Sequence, residues 1–160
     1  MDNTTFPVLP FTNISARNAG ETTSGTTIGA FTSIEVGTNN ADNVLGGFID
    51  RPSTTQVRGL VDGWYNFTYE MAGYSSNNDR GCVFTVFKNG LGGTRLDDFN
   101  SAISPKNVVT RPQHASSSHV VKLNANDTLE VAMSPLEAGV TVTTVTGYCS
   151  ISFKLVKIGF

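Results

Sequence analysis

The residues best equipped for chemistry are two histidines, His114 and His119, which stand in the serine-rich run Gln113-His-Ala-Ser-Ser-Ser-His119. A histidine becomes a general base when a hydroxyl or thiol lies in hydrogen-bond reach and a third group orients the ring. No cysteine and no nucleophile motif accompanies either one, so both are expected on the surface, with His119 a strand-edge or interface residue. Asp97-Asp98 is the one paired carboxylate. Consecutive side chains on extended chain point in opposite directions, so the two do not converge on one proton or metal and read as solvated loop charges. Asn124-Ala-Asn-Asp127 carries oxygen ligands without the Asp-x-Asp-x-Asp-Gly spacing of a calcium loop, and turn chemistry explains it better. Gly90-Leu-Gly-Gly93 shares glycines with phosphate-cradling loops, but no Lys-Ser/Thr follows, and it reads as a hairpin loop.

Cys82 and Cys149 are the only cysteines, and both lie inside apolar runs. Two cysteines cannot complete a metal site alone. They read as two buried free thiols, with a disulfide between neighbouring strands as the alternative that geometry decides. Four Asn-x-Ser/Thr triplets, at Asn3, Asn13, Asn66 and Asn126, are what a chain this rich in Asn and Thr produces by chance. No catalytic, cofactor-binding or metal-binding set emerges. The chain is expected not to be an enzyme; a deep pocket holding either histidine beside a carboxylate would reopen that question.

The elements carrying these residues have the period of strands. Tyr65, Phe67, Tyr69 and Met71 alternate with Trp64, Asn66, Thr68 and Glu70, so the odd positions should face a core. Residues 82–88 are apolar on both faces and end at Asn89-Gly90, a dipeptide suited to the positive φ values of a tight turn. Residues 119–123 and 128–133 flank Asn124–Asp127 and read as a hairpin that buries Val121, Leu123, Leu129, Val131 and Met133. Near the end, Cys149, Ile151, Phe153 and Leu155 alternate with Tyr148, Ser150, Ser152 and Lys154. No window sustains a helical period. Many short strands separated by turn signals predict an all-β fold of two packed antiparallel sheets or a barrel.

Residues 1–60 are crowded with Thr, Ser, Asn and Gly, with apolar residues in short bursts such as 28–34 and 44–49. Residues 1–24 carry little hydrophobic material and are expected to form an N-terminal arm, leaving 25–160 as the folded domain, best supported over 63–158. The chain has 160 residues, enough for one core. Only 15% of residues are charged and the formal net charge is −2, which argues against nucleic acid as a partner. No apolar run approaches the ~20 residues needed to span a bilayer, so membrane insertion is not expected. Residues 1–20 show no basic stretch leading into an apolar one, so synthesis without a secretory signal, in the cytoplasm, is expected.

Gly63-Trp-Tyr-Asn-Phe-Thr-Tyr69, followed by Gly81-Cys-Val-Phe-Thr-Val-Phe-Lys-Asn-Gly90, resembles the globular head of the first complement component, of the tumour-necrosis-factor-like superfamily. The likeness continues through Ser117-Ser-His-Val-Val-Lys-Leu123, Asn126-Asp127 and Leu129-Glu-Val131, and closes with residues 149–156. Asn126 stands where that family usually has Gly. The resemblance implies an antiparallel two-sheet jelly-roll sandwich that assembles as a compact homotrimer with head-to-tail contacts around an axis. It also implies trimer-interface positions at Trp64, Asn66 and Tyr148; the alternative for Trp64 and Tyr148 is an ordinary rim or core aromatic.

By analogy of fold and context, the expected role is that of a viral structural protein, a bacteriophage capsid decoration or cement trimer on the virion surface, with the major capsid protein as partner. The alternative is the receptor-binding tip of a phage tail or head fibre, presenting residues 74–81 and 90–107 to a host-surface receptor.

Overall fold

The computed structural model describes residues 12–18, 20–37, 47–77, 80–104 and 112–159. Among them are strands β1 (Ile14–Arg17), β2 (Thr32–Ser33), β3 (Ile49–Asp50), β4 (Gln56–Gly59), β5 (Gly63–Ser75), β6 (Cys82–Lys88), β7 (Thr94–Ile103), β8 (Gln113–Leu123), β9 (Thr128–Pro135), β10 (Val142–Thr144) and β11 (Ser150–Ile158), and no helix. They form two antiparallel sheets packed as a jelly roll. In the first, β5 is flanked on one side by β8 and on the other by β11 and then β10, with β1 outside β11. The second runs β3-β4-β9-β6-β7, with β2 also pairing β9.

The alternation read from the sequence sets which faces meet. Tyr65, Phe67, Tyr69 and Met71 of β5 point inward with Ile151, Phe153 and Leu155 of β11, against Phe84 and Val86 of β6 and Leu129, Val131 and Met133 of β9. Tyr65 stacks on Phe153 with ring centroids 5.0 Å apart, and Phe67 meets the edge of Phe99 at 5.9 Å. Each large side chain taken fully from water contributes on the order of 1.5–3 kcal/mol before entropy is counted. The tyrosine hydroxyls keep partners: that of Tyr65 donates to the Val61 carbonyl at 2.7 Å, and that of Tyr69 donates to the Phe99 carbonyl.

Residues 89–93 join β6 to β7, and within them Asn89 and Gly90 take φ values of 63° and 84°, positive angles that this dipeptide accepts readily. Asn126 has φ 73°. That angle is why glycine suits the position, and asparagine is among the residues that tolerate it best. Cys82 and Cys149 are both buried free thiols.

Three expectations change. Residues 119–123 and 128–133 are not a hairpin: β8 pairs with β5 and β9 with β6, so the Asn124–Asp127 turn carries the chain from one sheet to the other. Two strands that bury their apolar faces in one core show the same alternation whether they pair with each other or face across it. Much of 90–107, expected as a loop, is strand β7. Its alternation is broken because two steps along β6, from Phe84 to Val86, are matched by five along β7, from Ser101 to Leu96. This bulge pushes Asp97 and Asp98 outward and turns Phe99 into the core. Lastly, part of the span expected as an arm lies in the sandwich: β1 pairs with β11 and buries Ile14 and Ala16, and Thr23 bridges Thr143. Four residues are too few for a period to show among so many threonines and serines. Residues 1–11 lie outside the described residues.

Candidate assembly face

The inner side of the β1-β11-β5-β8 sheet is core, so its even-numbered β5 positions form an outward face. Strand register arranges that face in rows. Trp64 stands between Lys122 and Lys157, Asn66 between Val120 and Lys154, Thr68 between Ser118 and Ser152, and Glu70 between Ser116 and Ser150. Beyond β11, Ser15 and Arg17 of β1 extend the rows of Ser152 and Ser150. Trp64 and Val120 are exposed, Val120 to 54%. The bulged Val156 and terminal Ile158 are exposed beside them. The centre of the face is short-chained and polar, with the Thr68 and Ser118 hydroxyls 2.7 Å apart and the Ser118 hydroxyl 3.4 Å from Asn66 Oδ1.

Tyr148 lies at the other end of the same face, 59% exposed, in the turn that leads into β11. Asn18 builds that turn. Its buried side chain donates from Nδ2 to the Val145 and Gly20 carbonyls at 3.0 and 2.9 Å and accepts from the Cys149 N–H at 3.0 Å. The backbone carbonyl of Asn18 accepts from the Gly147 N–H at 3.0 Å. The Tyr148 ring meets the edge of His114 at 6.1 Å. Trp64, Asn66 and Tyr148, nominated from the sequence, therefore share one surface. The rows from Trp64 to Glu70, six residues apart on β5, span about 20 Å.

Two open clefts hold the histidines. One of about 340 Å³, lined by Arg17, Glu70, His114, Gly147, Tyr148 and Ser150, lies at the Tyr148 end of the face. The other, of about 280 Å³, lies on the flank where β7 and β8 meet, and Asp97, Asp98, Phe99, His119 and Val120 line it. Each histidine thus shares a cleft with a carboxylate, but no hydrogen bond joins histidine to carboxylate among the described residues. His119 instead meets the edge of Phe99 at 4.9 Å, and Asp97 pairs with Arg95 at 3.0 Å. Most lining side chains are exposed, so the clefts are not the deep, dry site that acid–base chemistry needs.

At the base of the sandwich, Asp127 organises the turn between β8 and β9. Its carboxylate pairs with Lys88 Nζ at 2.6 Å and accepts from Asn89 Nδ2 and the Asn124 N–H at 2.8 Å each. Partial burial pushes its carboxyl up, but these partners together outweigh burial and hold it below the usual carboxylate value. Burial pushes the Cys82 and Cys149 thiols up, which leaves them protonated and inert at neutral pH.

Solved structures with the same arrangement decide the fold's name. Eiger TNF from S. frugiperda superposes with a TM-score of 0.67 over 95% of this chain and 96% of its own, at 13% identity. The fold is the tumour-necrosis-factor-like jelly roll. Murine APRIL, crystallised at pH 5.0, matches with a TM-score of 0.61 over 91% of this chain and 99% of its own, also at 13% identity. No protein-family model matches the sequence, and no curated protein matches it either. Within this tumour-necrosis-factor-like frame, the alternation of β5 places Trp64 and Asn66 on one side of the sheet, while Tyr148, nominated from the family resemblance, lies in the turn before β11 beside His114. Val120 and Lys154 follow from the same period two, whereas Lys157 reaches the face only because the bulge between Leu155 and Lys157 shifts the register. Asn18 carries no such signal, because its partners Val145 and Cys149 lie more than 120 residues away.

Proposed function

We propose that the chain is a self-assembling structural module, a homotrimer joined through the outward face of the β1-β11-β5-β8 sheet. The observation that carries this reading is the face itself, which leaves Trp64 and Val120 in water on one side of a sheet whose other side is core. Its centre of Ser, Thr and Asn has little side-chain entropy to lose when covered, and Trp is among the residues that contribute most at protein interfaces. The tumour-necrosis-factor-like fold supports the three-fold form of the assembly. The module works by binding, with no chemistry assigned to its open clefts.

Its role in this proposal is a viral capsid decoration trimer on the virion surface. Three weak contacts to neighbouring shell subunits act together and raise the effective affinity, and binding only the assembled shell stabilises it by mass action. Residues 12 and 159 lie together at the Trp64 end of the sandwich, which supports attachment there: Thr12 Oγ1 accepts from the Leu155 N–H at 3.1 Å, and the Gly159 N–H donates to the Asp62 carbonyl at 2.8 Å. The same placement favours a second reading, the tip of a phage fibre, because the β5–β6 connection lies at the opposite end and is free to meet a host receptor. Light scattering of the purified chain tests the trimer; a monomer at tens of micromolar removes it. Quantitative mass spectrometry of purified particles separates the roles. Copies comparable with the shell protein support decoration, a handful per particle supports the fibre tip, and absence from particles removes both.

A further inference from the structure

We infer that Asn89 is a site of spontaneous deamidation, which the folded turn holds shut and which opening of that turn exposes. The inference goes beyond the self-association proposed above and does not depend on it. Of the asparagines in the chain, Asn89 alone precedes a glycine. Glycine has no side chain to shield its backbone nitrogen and turns freely about φ, so an Asn-Gly pair readily presents that nitrogen to the side-chain amide. Asn89 is exposed and Gly90 half-buried, so water reaches the pair. Burial therefore does not protect the amide, and protection has to come from geometry.

The reaction needs only water. The Gly90 nitrogen attacks Asn89 Cγ, the Cγ–Nδ2 bond breaks, and the proton lost from Gly90 leaves with the amide nitrogen as ammonia. The five-membered imide that remains then takes up one water at either of its carbonyls. One opening gives an aspartate at position 89; the other reroutes the backbone through the side chain as an isoaspartate. The first step requires Cγ and the Gly90 nitrogen to come within about 3–3.5 Å in an aligned approach.

In the fold the Asn89 amide is committed elsewhere. Its Nδ2 donates to Asp127 Oδ1 at 2.8 Å and its Oδ1 accepts from the Thr128 N–H at 2.9 Å, while its backbone N–H donates to the Thr128 carbonyl at 2.9 Å. Both polar atoms of the side chain are thus tied across to the turn between β8 and β9. Asp127 is itself fixed there by Lys88 Nζ at 2.6 Å and the Asn124 N–H at 2.8 Å. Turning Cγ towards Gly90 breaks both side-chain bonds, and two such bonds make the open turn on the order of tenfold to a hundredfold rarer than it is without them. Conversion is also one-way. A carboxylate in place of the amide loses the donor to Asp127 and sets two carboxylates against each other at hydrogen-bond distance. An isoaspartate lengthens the backbone of a turn in which Asn89 and Gly90 hold φ at 63° and 84°. Neither product restores the bridge between the two turns, so a chain that converts while open refolds poorly.

Peptide mapping by mass spectrometry tests this on the full chain, held at mildly alkaline pH either folded or in urea, with folding read by circular dichroism. Asn89 should convert at least about tenfold faster in urea than in the folded chain. Asp127→Ala removes the acceptor for Nδ2 and should convert several-fold faster than the unaltered chain while still folded, whereas Asp127→Asn keeps an acceptor oxygen and should stay slow; in urea all three should convert alike. Refolding after storage in urea should lose yield in step with conversion, and Asn89→Gly, which accepts the positive φ and has no amide to lose, should keep its yield. Equal rates in the folded and unfolded chain, or no conversion at Asn89 in urea, would overturn the inference. A folded Asp127→Ala chain that converts no faster than the unaltered one would overturn it as well. If Asp127→Ala does not fold, the comparison of folded and unfolded unaltered chain decides alone.

Discussion

Replacing Asn18 by alanine should cost far more than its small size suggests. The side chain is 3% exposed and satisfies three backbone groups, of which the Cys149 N–H is fully buried and the Val145 carbonyl partly so. The third, the Gly20 carbonyl, is on an exposed residue and regains water. A buried group left without its partner costs about 1–3 kcal/mol, so the two together give about 2–4 kcal/mol. For a chain of this length that lowers Tm by roughly 5–15 °C. Asn18→Asp should be no better, since it keeps the acceptor for Cys149 but turns a carboxylate oxygen on the Val145 carbonyl. Urea unfolding at one fixed protein concentration measures the loss, and the concentration is then varied to separate folding from assembly. A loss below about 0.5 kcal/mol for Asn18→Ala would show that the turn holds itself and that Asn18 does not position Tyr148.

Tyr69→Phe removes the donor to the Phe99 carbonyl at the β7 bulge and should cost about 1–2 kcal/mol in denaturant titration. Gly81→Ala should prevent folding, because its Cβ would lie 1.7 Å from the backbone oxygen of Ile103; soluble protein with native circular dichroism would contradict this. Since Asp127 is held below its ordinary value in the fold, its contribution is present above about pH 4 and lost as pH falls through the lowered value. Asp127→Asn should therefore be less stable than the parent at neutral pH and lose less on acidification, as read by thermal melts from pH 7 to pH 2. Cys82 and Cys149 should react with a thiol reagent only at the rate of unfolding, which stopped-assay labelling with and without denaturant checks.

Long alternating segments made much of the sandwich legible. In β5 and β11 the period-two pattern fixes which side chains are core, and with it the outward side of Trp64 and Asn66; Tyr148, in a turn, was nominated from the family resemblance alone. Asn89-Gly90 marked its turn because few other dipeptides accept two positive φ values. Legibility failed where the determining partner is distant or the period is interrupted. Alternation in β8 and β9 records burial and not pairing, so an inter-sheet crossing looked like a hairpin. Asp97-Asp98 looked like loop charges because the bulge hides the strand around them. Ile14 and Ala16 became core only because β11 supplies the edge on which β1 lies.

The order of strands in the first sheet also bears on synthesis. β11, the last in order of the described strands, is an interior strand, with β5 on one side and β1 on the other. Until it leaves the ribosome, Ile14 and Ala16 have no sheet to join, and one side of β5 is open for most of its length. At about 5–20 residues per second, the nascent chain waits seconds with these edges bare. Closing β1 on β11 joins residues more than 130 positions apart, which makes this step slow. A nascent chain stalled before Ser150 should stay protease-sensitive throughout, however much of its sequence has already been translated.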